Sequence, residues 1–292
     1  MLYLAGSIVL TSWLTLSFKV AERFRIPMLQ AIVVNYWVCV ATGSIVNGSS
    51  PFTQKLLYEK WFGWAGAMGV TFIFLFTIIG ITTQKMGVSV ASVANKLSLV
   101  IPFVFSLYLY NESFTFLKIA GVAIALVAVV FTCWPSGRKE PSGKSFGPVL
   151  FLLPFILFLG SGLLDTMIKY AESRFLDGTN NNDFLITAFA FAGTAGIIAL
   201  AILMPVRKER FDFRSVVAGL AIGIPNYFSI WCLVHVLKDY AADSSKIIPI
   251  NNMGIVLFST LVAWLVFKEK LSFLNRTGII LSVAAIALIA YG

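Results

Sequence analysis

Trp61-Phe-Gly-Trp-Ala-Gly-Ala-Met-Gly-Val-Thr-Phe-Ile-Phe-Leu-Phe-Thr-Ile-Ile-Gly-Ile-Thr82 carries no charged residue from end to end. As an α-helix rising about 1.5 Å per residue, a run of this length crosses a hydrocarbon core of about 30 Å. A helix also satisfies its own backbone hydrogen bonds, which lipid cannot do for it. A strand of a membrane barrel would instead alternate apolar and polar residues over about ten positions, and this run is continuous.

Reading outward, the same signature recurs. Leu2–Phe18, Leu29–Val46, Gly87–Tyr110 and Phe116–Trp134 complete a first group of five. After a polar stretch come Pro148–Tyr170, Phe184–Met204, Val216–Leu237, Ile247–Phe267 and Thr277–Tyr291. Of the 292 residues, 59% are hydrophobic and 12% charged; soluble chains run near half apolar and about a quarter charged. The expected fold is therefore an all-α integral membrane protein of ten transmembrane helices with little outside the bilayer. The first run has no basic segment before it and no small-residue cleavage site after it, so it reads as a retained span.

The net charge of +9 points to membrane flanks and away from nucleic acid, because Lys and Arg stand singly or in small groups at the ends of the apolar runs. Of the 22, fourteen fall in connections on the side of the first loop, seven on the opposite side, and Lys96 lies inside a span. The positive-inside rule then turns both termini outward. Cys39, Cys133 and Cys232 are odd in number and lie in predicted spans, so free thiols are expected and a disulfide framework is not.

The chain repeats itself. Shifted by 157, Glu112-x8-Gly121 meets Glu269-x8-Gly278, Asn95 meets Asn252, Phe116 meets Phe273, Leu117 meets Leu274 and Ala125 meets Ser282. Shifted by 150, Lys19-Val-Ala-Glu22 meets Lys169-Tyr-Ala-Glu172. This divides the chain into an N-terminal repeat, 1–134, a polar linker, 135–147, and a C-terminal repeat, 148–292. Five spans per copy is odd, so the second copy enters the membrane from the opposite side. The result is two inverted five-helix repeats, an arrangement common in secondary transporters.

With its five-plus-five layout, the chain resembles the drug/metabolite transporter superfamily, EamA type. The residues that carry the resemblance are Leu107-Tyr-Leu-Tyr-Asn-Glu112 with Gly121, and Val266-Phe-Lys-Glu269 with Gly278. Each is a helix end, a short acidic turn and a final helix opening near a glycine. The resemblance implies a secondary transporter with cytosolic termini, opposite to the orientation from the Lys/Arg distribution. Where the family often has Trp-Gly in the first helix, this chain has Ser12-Trp13-Leu14, which marks a divergent subgroup.

A charge inside a span is costly and marks a functional site by default. Lys96 lies near the midplane of the fourth span. It needs an acidic partner, an anionic substrate group, a water-filled cavity or a fixed internal ion pair. Asp165 is the carboxylate well inside a span; it either pairs with Lys169 one turn on or lines a cavity with Thr15, its counterpart in the first copy. Asn35 and Tyr36, followed by Trp37, lie mid-span in the second helix. Asn226 and Tyr227 follow Pro225 in the eighth, with Trp231 beyond. Asn251 and Asn252 follow Pro249 in the ninth. Amides and aromatic faces suit a small organic molecule, and they equally serve as interhelical hydrogen bonds or interface anchors. Gly219 and Gly223 give the spacing of close helix packing, within the fold or at a dimer face.

Enzyme patterns fail. His235 is the sole histidine, which excludes a His-rich metal site, and Gly137–Ser145 has one residue too many for a phosphate-binding loop and no strand before it. No catalytic residue, metal or cofactor is expected. The function expected is a secondary transporter moving a small polar or amphiphilic metabolite by alternating access, as monomer or homodimer, with a coupling proton or ion and no nucleic-acid partner. The expected location is the inner membrane of a bacterium. An intramembrane enzyme acting on a lipid-like substrate is the alternative; it would cluster its catalytic residues near one interface.

Overall fold

The computed structural model describes residues 2–48, 52–110, 115–134, 149–176, 180–239 and 244–291, and all regular structure among them is helical. The linker 135–147 and Glu112 lie outside the described residues. In chain order the helices are α1 Leu2–Arg23, α2 Met28–Asn47, α3 Phe62–Met86, α4 Val88–Leu97, α5 Val100–Tyr110, α6 Phe116–Cys133, α7 Val149–Phe175, α8 Asn181–Arg207, α9 Arg214–Asp239, α10 Ser244–Val266 and α11 Phe273–Tyr291. A 3₁₀ turn, Gln54–Tyr58, precedes α3. Among the described residues, nine apolar spans are long enough to cross a membrane, the joined Val88–Phe105 included, and Phe116–Thr132 is a shorter apolar helix. Large apolar side chains stand exposed along them, among them Ile45, Ile198, Val217 and Ile280. Lipid, unlike water, accepts such a surface. The chain has the helices of an integral membrane protein.

The fourth span differs from its expected form. It is read from sequence as one run from Gly87 to Tyr110, but it is broken by a turn at Ser98–Leu99. Pro102 explains the place. It has no N–H to give the carbonyl four residues back, and its ring crowds that carbonyl, which belongs to Ser98. The chain tightens instead: Ile101 N–H donates to Ser98 O at 2.9 Å, and the Ser98 hydroxyl turns back to Asn95 O. At the other end of α4, Gly87 sits at φ +109°, a conformation that a side chain would strain.

Contacts group the chain into two compact units, each drawing on both sequence halves. The first comprises Met1–Lys19, Ile78–Leu163 and Ser229–Gly292. Here α6 packs along α11, and α4 packs against α10. Val93, Leu97, Ala125, Ala128, Val256 and Ile286 form its core. Small residues set the approach, since in lipid van der Waals fit replaces the hydrophobic effect as the driving term. A methyl on Gly121 would meet Ile289 Cγ1 at 2.8 Å and Ala285 O at 3.1 Å, and one on Gly278 would meet the backbone of Thr132. Asn275 of α11 donates to carbonyls at the closing end of α6, Thr132 O at 2.8 Å and Trp134 O at 3.1 Å, where a helix leaves carbonyls without intrahelical donors.

The second unit comprises Val20–Thr77 and Leu164–Phe228. In it α2 packs along α8, and Trp61, Met68, Phe184 and Ala188 form a core. Gly43 admits Ile186 and Tyr227, and Gly193 admits the Trp37 indole. Gly219 and Gly223 of α9 lie on α2, at Ala31 O, Val34, Val38 and Asn35 O, so this pair packs the unit internally.

Candidate functional site

In the second unit, α2 and α9 bring four of the singled-out residues together. Asn35, Tyr36, Asn226 and Tyr227 are all buried. The glycine-mediated approach of the two helices places the amides in contact: Asn226 Nδ2 donates to Asn35 Oδ1 at 3.1 Å. Cys39, one turn after Asn35, gives its thiol to Gly223 O at 3.4 Å and lies 3.8 Å from Asn35 Oδ1. Gly223 stands two residues before Pro225, so a side chain of α2 bonds a backbone carbonyl of α9. Asn35 Nδ2 is fully enclosed and has no partner among the described residues. An unfilled amide donor in such a place suits an uncharged oxygen acceptor on a ligand, or a water. Tyr36 closes the same level with Phe76 and Phe189, ring centroids 5.8 and 6.0 Å away. Trp37 lies against Gly193 of α8 and is 40% exposed. Asp165 is also in this unit, on the exposed side of α7, with Lys169 exposed one turn on.

The remaining residues fall in the first unit. Lys96 is half-buried in the last turn of α4. That puts an ammonium at the carbonyl end of a short helix, where the helix dipole favours a cation. Asn251 of α10 is buried with Oδ1 unpartnered among the described residues, and Asn252 is half-buried. Trp231 does not join the Asn35 group: it is half-buried between Tyr3, 5.6 Å away edge-on, and His235, 3.7 Å away. His235 Nδ1 lies 2.8 Å from Trp231 O; a carbonyl only accepts, so Nδ1 carries the proton.

Sequence reasoning missed the site's most specific polar contact in this unit. Glu269, in the turn after α10, is buried and accepts from Val88 N–H at 2.8 Å and from the Ser89 hydroxyl at 3.2 Å. It caps α4 from the other sequence half. The acidic turn is visible in the sequence, but its partner, 181 residues away, is not. Beyond it, Ser259 of α10 donates to Ser92 of α4 at 2.9 Å. Among the described residues no group of three His, Cys, Asp or Glu is placed to hold a metal ion.

No family model matches the chain. A protein of Haemophilus influenzae, described as uncharacterized, is 24% identical over 277 residues, covering 94% of this chain and 92% of its own length. A crystal structure of another protein covers 98% of this chain and 94% of its own, with a TM-score of 0.58 at 17% identity, so the two share a fold.

Proposed function

We propose that this protein is a secondary transporter of the drug/metabolite transporter type. It moves a small polar or amphiphilic metabolite, amino-acid-like or another organic solute, by alternating access through a central cavity between two inverted five-helix halves. One observation carries the reading. Gly121 meets Ile289 and Gly278 meets Thr132. Shifting Gly121 and Thr132 by 157 gives Gly278 and Ile289, so the two contacts are one pair exchanged between halves. The second unit behaves likewise under the shift of 150: Gly196 meets Val33, and Asn47 bonds Asp183, exchanged to within one residue. Such reciprocity is what a two-fold axis generates. With five spans per half, that axis lies in the membrane plane, and rocking about it opens one cavity to either side in turn.

The shorter apolar helix Phe116–Thr132 supplies the tenth span of this reading. The broken fourth span fits it too, since discontinuous helices supply binding groups near the midplane of transporters. In the second unit Asn35, Tyr36, Asn226 and Tyr227 contact an uncharged solute group; Lys96, in the first unit, is a separate candidate for binding an anionic group. The protein resides in the inner membrane of a bacterium, as monomer or homodimer, and draws its energy from a gradient.

Thermal stabilisation of the purified protein across a metabolite library, followed by uptake of each stabilising compound into proteoliposomes, tests the proposal. The expected result is one chemical class that both stabilises and accumulates. Stabilising compounds that never cross the vesicle membrane under any imposed gradient would overturn it.

A further inference from the structure

The turn from α1 to α2 and the turn from α8 to α9 lie 180 residues apart at their point of contact, within the second unit. The buried Gln30 side chain ties them together. Its Nε2 donates to Arg210 O at 3.1 Å, and its Oε1 accepts from Asp212 N–H at 2.9 Å and from the Ser215 hydroxyl at 3.4 Å. Arg214 Nη1 reaches back to Phe24 O at 3.5 Å. The two turns are thus fixed to each other through their backbones, and the side chains around them stand on a common base.

The charge on that base is unbalanced. Arg23, Arg25, Arg207, Lys208, Arg210 and Arg214 face only Glu22, Glu209 and Asp212. Arg214 pairs with Asp212 at 2.7 Å and Arg207 with Glu209 at 4.0 Å. Among the described residues, Arg23, Arg25, Lys208 and Arg210 are exposed and have no ion-pair partner. Phe24, Phe211 and Phe213 stand exposed between them. Unpaired cations interleaved with apolar rings at the ends of membrane helices match the edge of a bilayer, with phosphate at one level and acyl chain at the next.

Basic flanks are general in membrane proteins, and a cation near a helix C-terminus suits the helix dipole. The backbone here asks for more than that. Helices α1 and α8 close in the same motif: Ile26 N–H donates to Ala21 O and Arg25 N–H to Glu22 O in one, Glu209 N–H to Met204 O and Lys208 N–H to Pro205 O in the other. The left-handed residue of the motif is Arg25 in the first and Lys208 in the second, both at φ 54°. Glycine is the unstrained choice at that place, and α2 uses it, ending on Gly48 at φ 69°. The dipoles are already served by Arg23 and Arg207 in the last turns. Two long cations therefore hold strained positions, in adjoining turns, that their helices do not require.

We infer that the clamped α1–α2 and α8–α9 turns form a binding surface for the headgroup of an anionic phospholipid drawn from the surrounding bilayer. Arg25 and Lys208, with Arg23 and Arg210, face the phosphate, and the exposed phenylalanines meet the upper acyl chains. The excess of cations selects a lipid of net negative charge over a zwitterionic one. The surface does not depend on the transporter reading.

The purified protein, titrated in detergent with phosphatidylglycerol or phosphatidylcholine and read by native mass spectrometry, tests the surface. Wild type should retain phosphatidylglycerol in preference. Arg25→Gly with Lys208→Gly removes two charges and relaxes both backbones, so its unfolding midpoint in detergent should be unchanged or higher. It should bind phosphatidylglycerol about thirtyfold more weakly, two steps of about fivefold, the scale of one basic residue at an anionic surface. Lys55→Gln with Lys60→Gln, the same charge lost from exposed positions between α2 and α3, should leave the preference intact. An indifferent wild type, no loss in the glycine variant, or equal loss in both double variants overturns the inference. So does inorganic phosphate that stabilises the protein as well as the lipid does, which would make the ligand a soluble anion. Should the glycine variant fail to fold, Arg23→Gln with Arg210→Gln, which leaves the backbone alone, decides by the same loss.

Discussion

The fourth span of the first half and α10, its counterpart under the shift of 157, each contain a proline, yet one breaks and the other runs through. The difference is where the carbonyl four residues back falls. For Pro249 that carbonyl belongs to Ser245, in the opening turn of α10, so the missing bond falls near the helix end and the rest of the helix runs on. For Pro102 it belongs to Ser98, mid-span, and the helix divides there. Position alone is insufficient, since Pro225 lies inside a continuous α9. Pro225 withholds a donor from the Ala221 carbonyl and α9 still runs on past it, whereas at Pro102 the Ser98 hydroxyl bonds Asn95 O in the turn that divides the span. The two copies thus diverged in one property. The first has a short, separately hinged α4 with a lysine at its end, and the second has a single rod with Met253 at the equivalent place.

The comparison breaks most visibly through Lys96→Met, which makes the first copy read like the second. Uptake in proteoliposomes should be lost while the purified protein still elutes as a folded species; full uptake would show that the asymmetry of charge is idle. Ser259→Pro installs the first copy's proline in α10. It should cost about 3 kcal/mol of stability, read as a lower midpoint in thermal unfolding, because a proline inside a helix removes a bond and clashes. Pro102→Ala should do the converse, joining α4 to α5 and raising hydrogen-exchange protection of the Ser98–Ile101 amides by about tenfold. A smaller effect belongs to the hydrogen bond joining α4 to α10. A double-mutant cycle of Ser92→Ala and Ser259→Ala should give a coupling of about 0.6 kcal/mol, the average for such bonds in membranes. Smallest is Pro249→Ala, one turn into α10, which should shift the midpoint of thermal unfolding by less than Ser259→Pro does, because the missing bond lies near the helix end.

Much of the fold can be read from apolar runs, because lipid demands continuous helices of a set length. Leu29–Val46 became Met28–Asn47 and Trp61–Thr82 became Phe62–Met86, within a turn. Hydropathy does not register whether hydrogen bonds pass through a run, so Gly87–Tyr110 reads as continuous and the break at Ser98 does not show. The site was legible as residue types and illegible as partners. Asn35 and Asn226 each stood out as an amide in an apolar span, but nothing local says that they touch. Trp37 and Trp231 look alike in sequence, yet one stands exposed beside Asn35 and the other stacks on His235, since a side chain's face depends on helix rotation. Glu269 was noticed only as part of an acidic turn, and its cap on α4 depends on a fold that joins the two halves.

The interleaving of the two compact units constrains how the protein is made. One unit needs chain from residue 20 to 228, and the other needs chain from the first helix and from the last. While the ribosome is still adding α7, α2 sits in the bilayer without α8, and α6 waits until α11 has been made. Gly121, whose neighbour is Ile289, therefore spends most of translation facing lipid or a holding factor. The insertion machinery must keep half-finished helices apart until their distant partners arrive, and a chain stopped after residue 134 would leave both units incomplete.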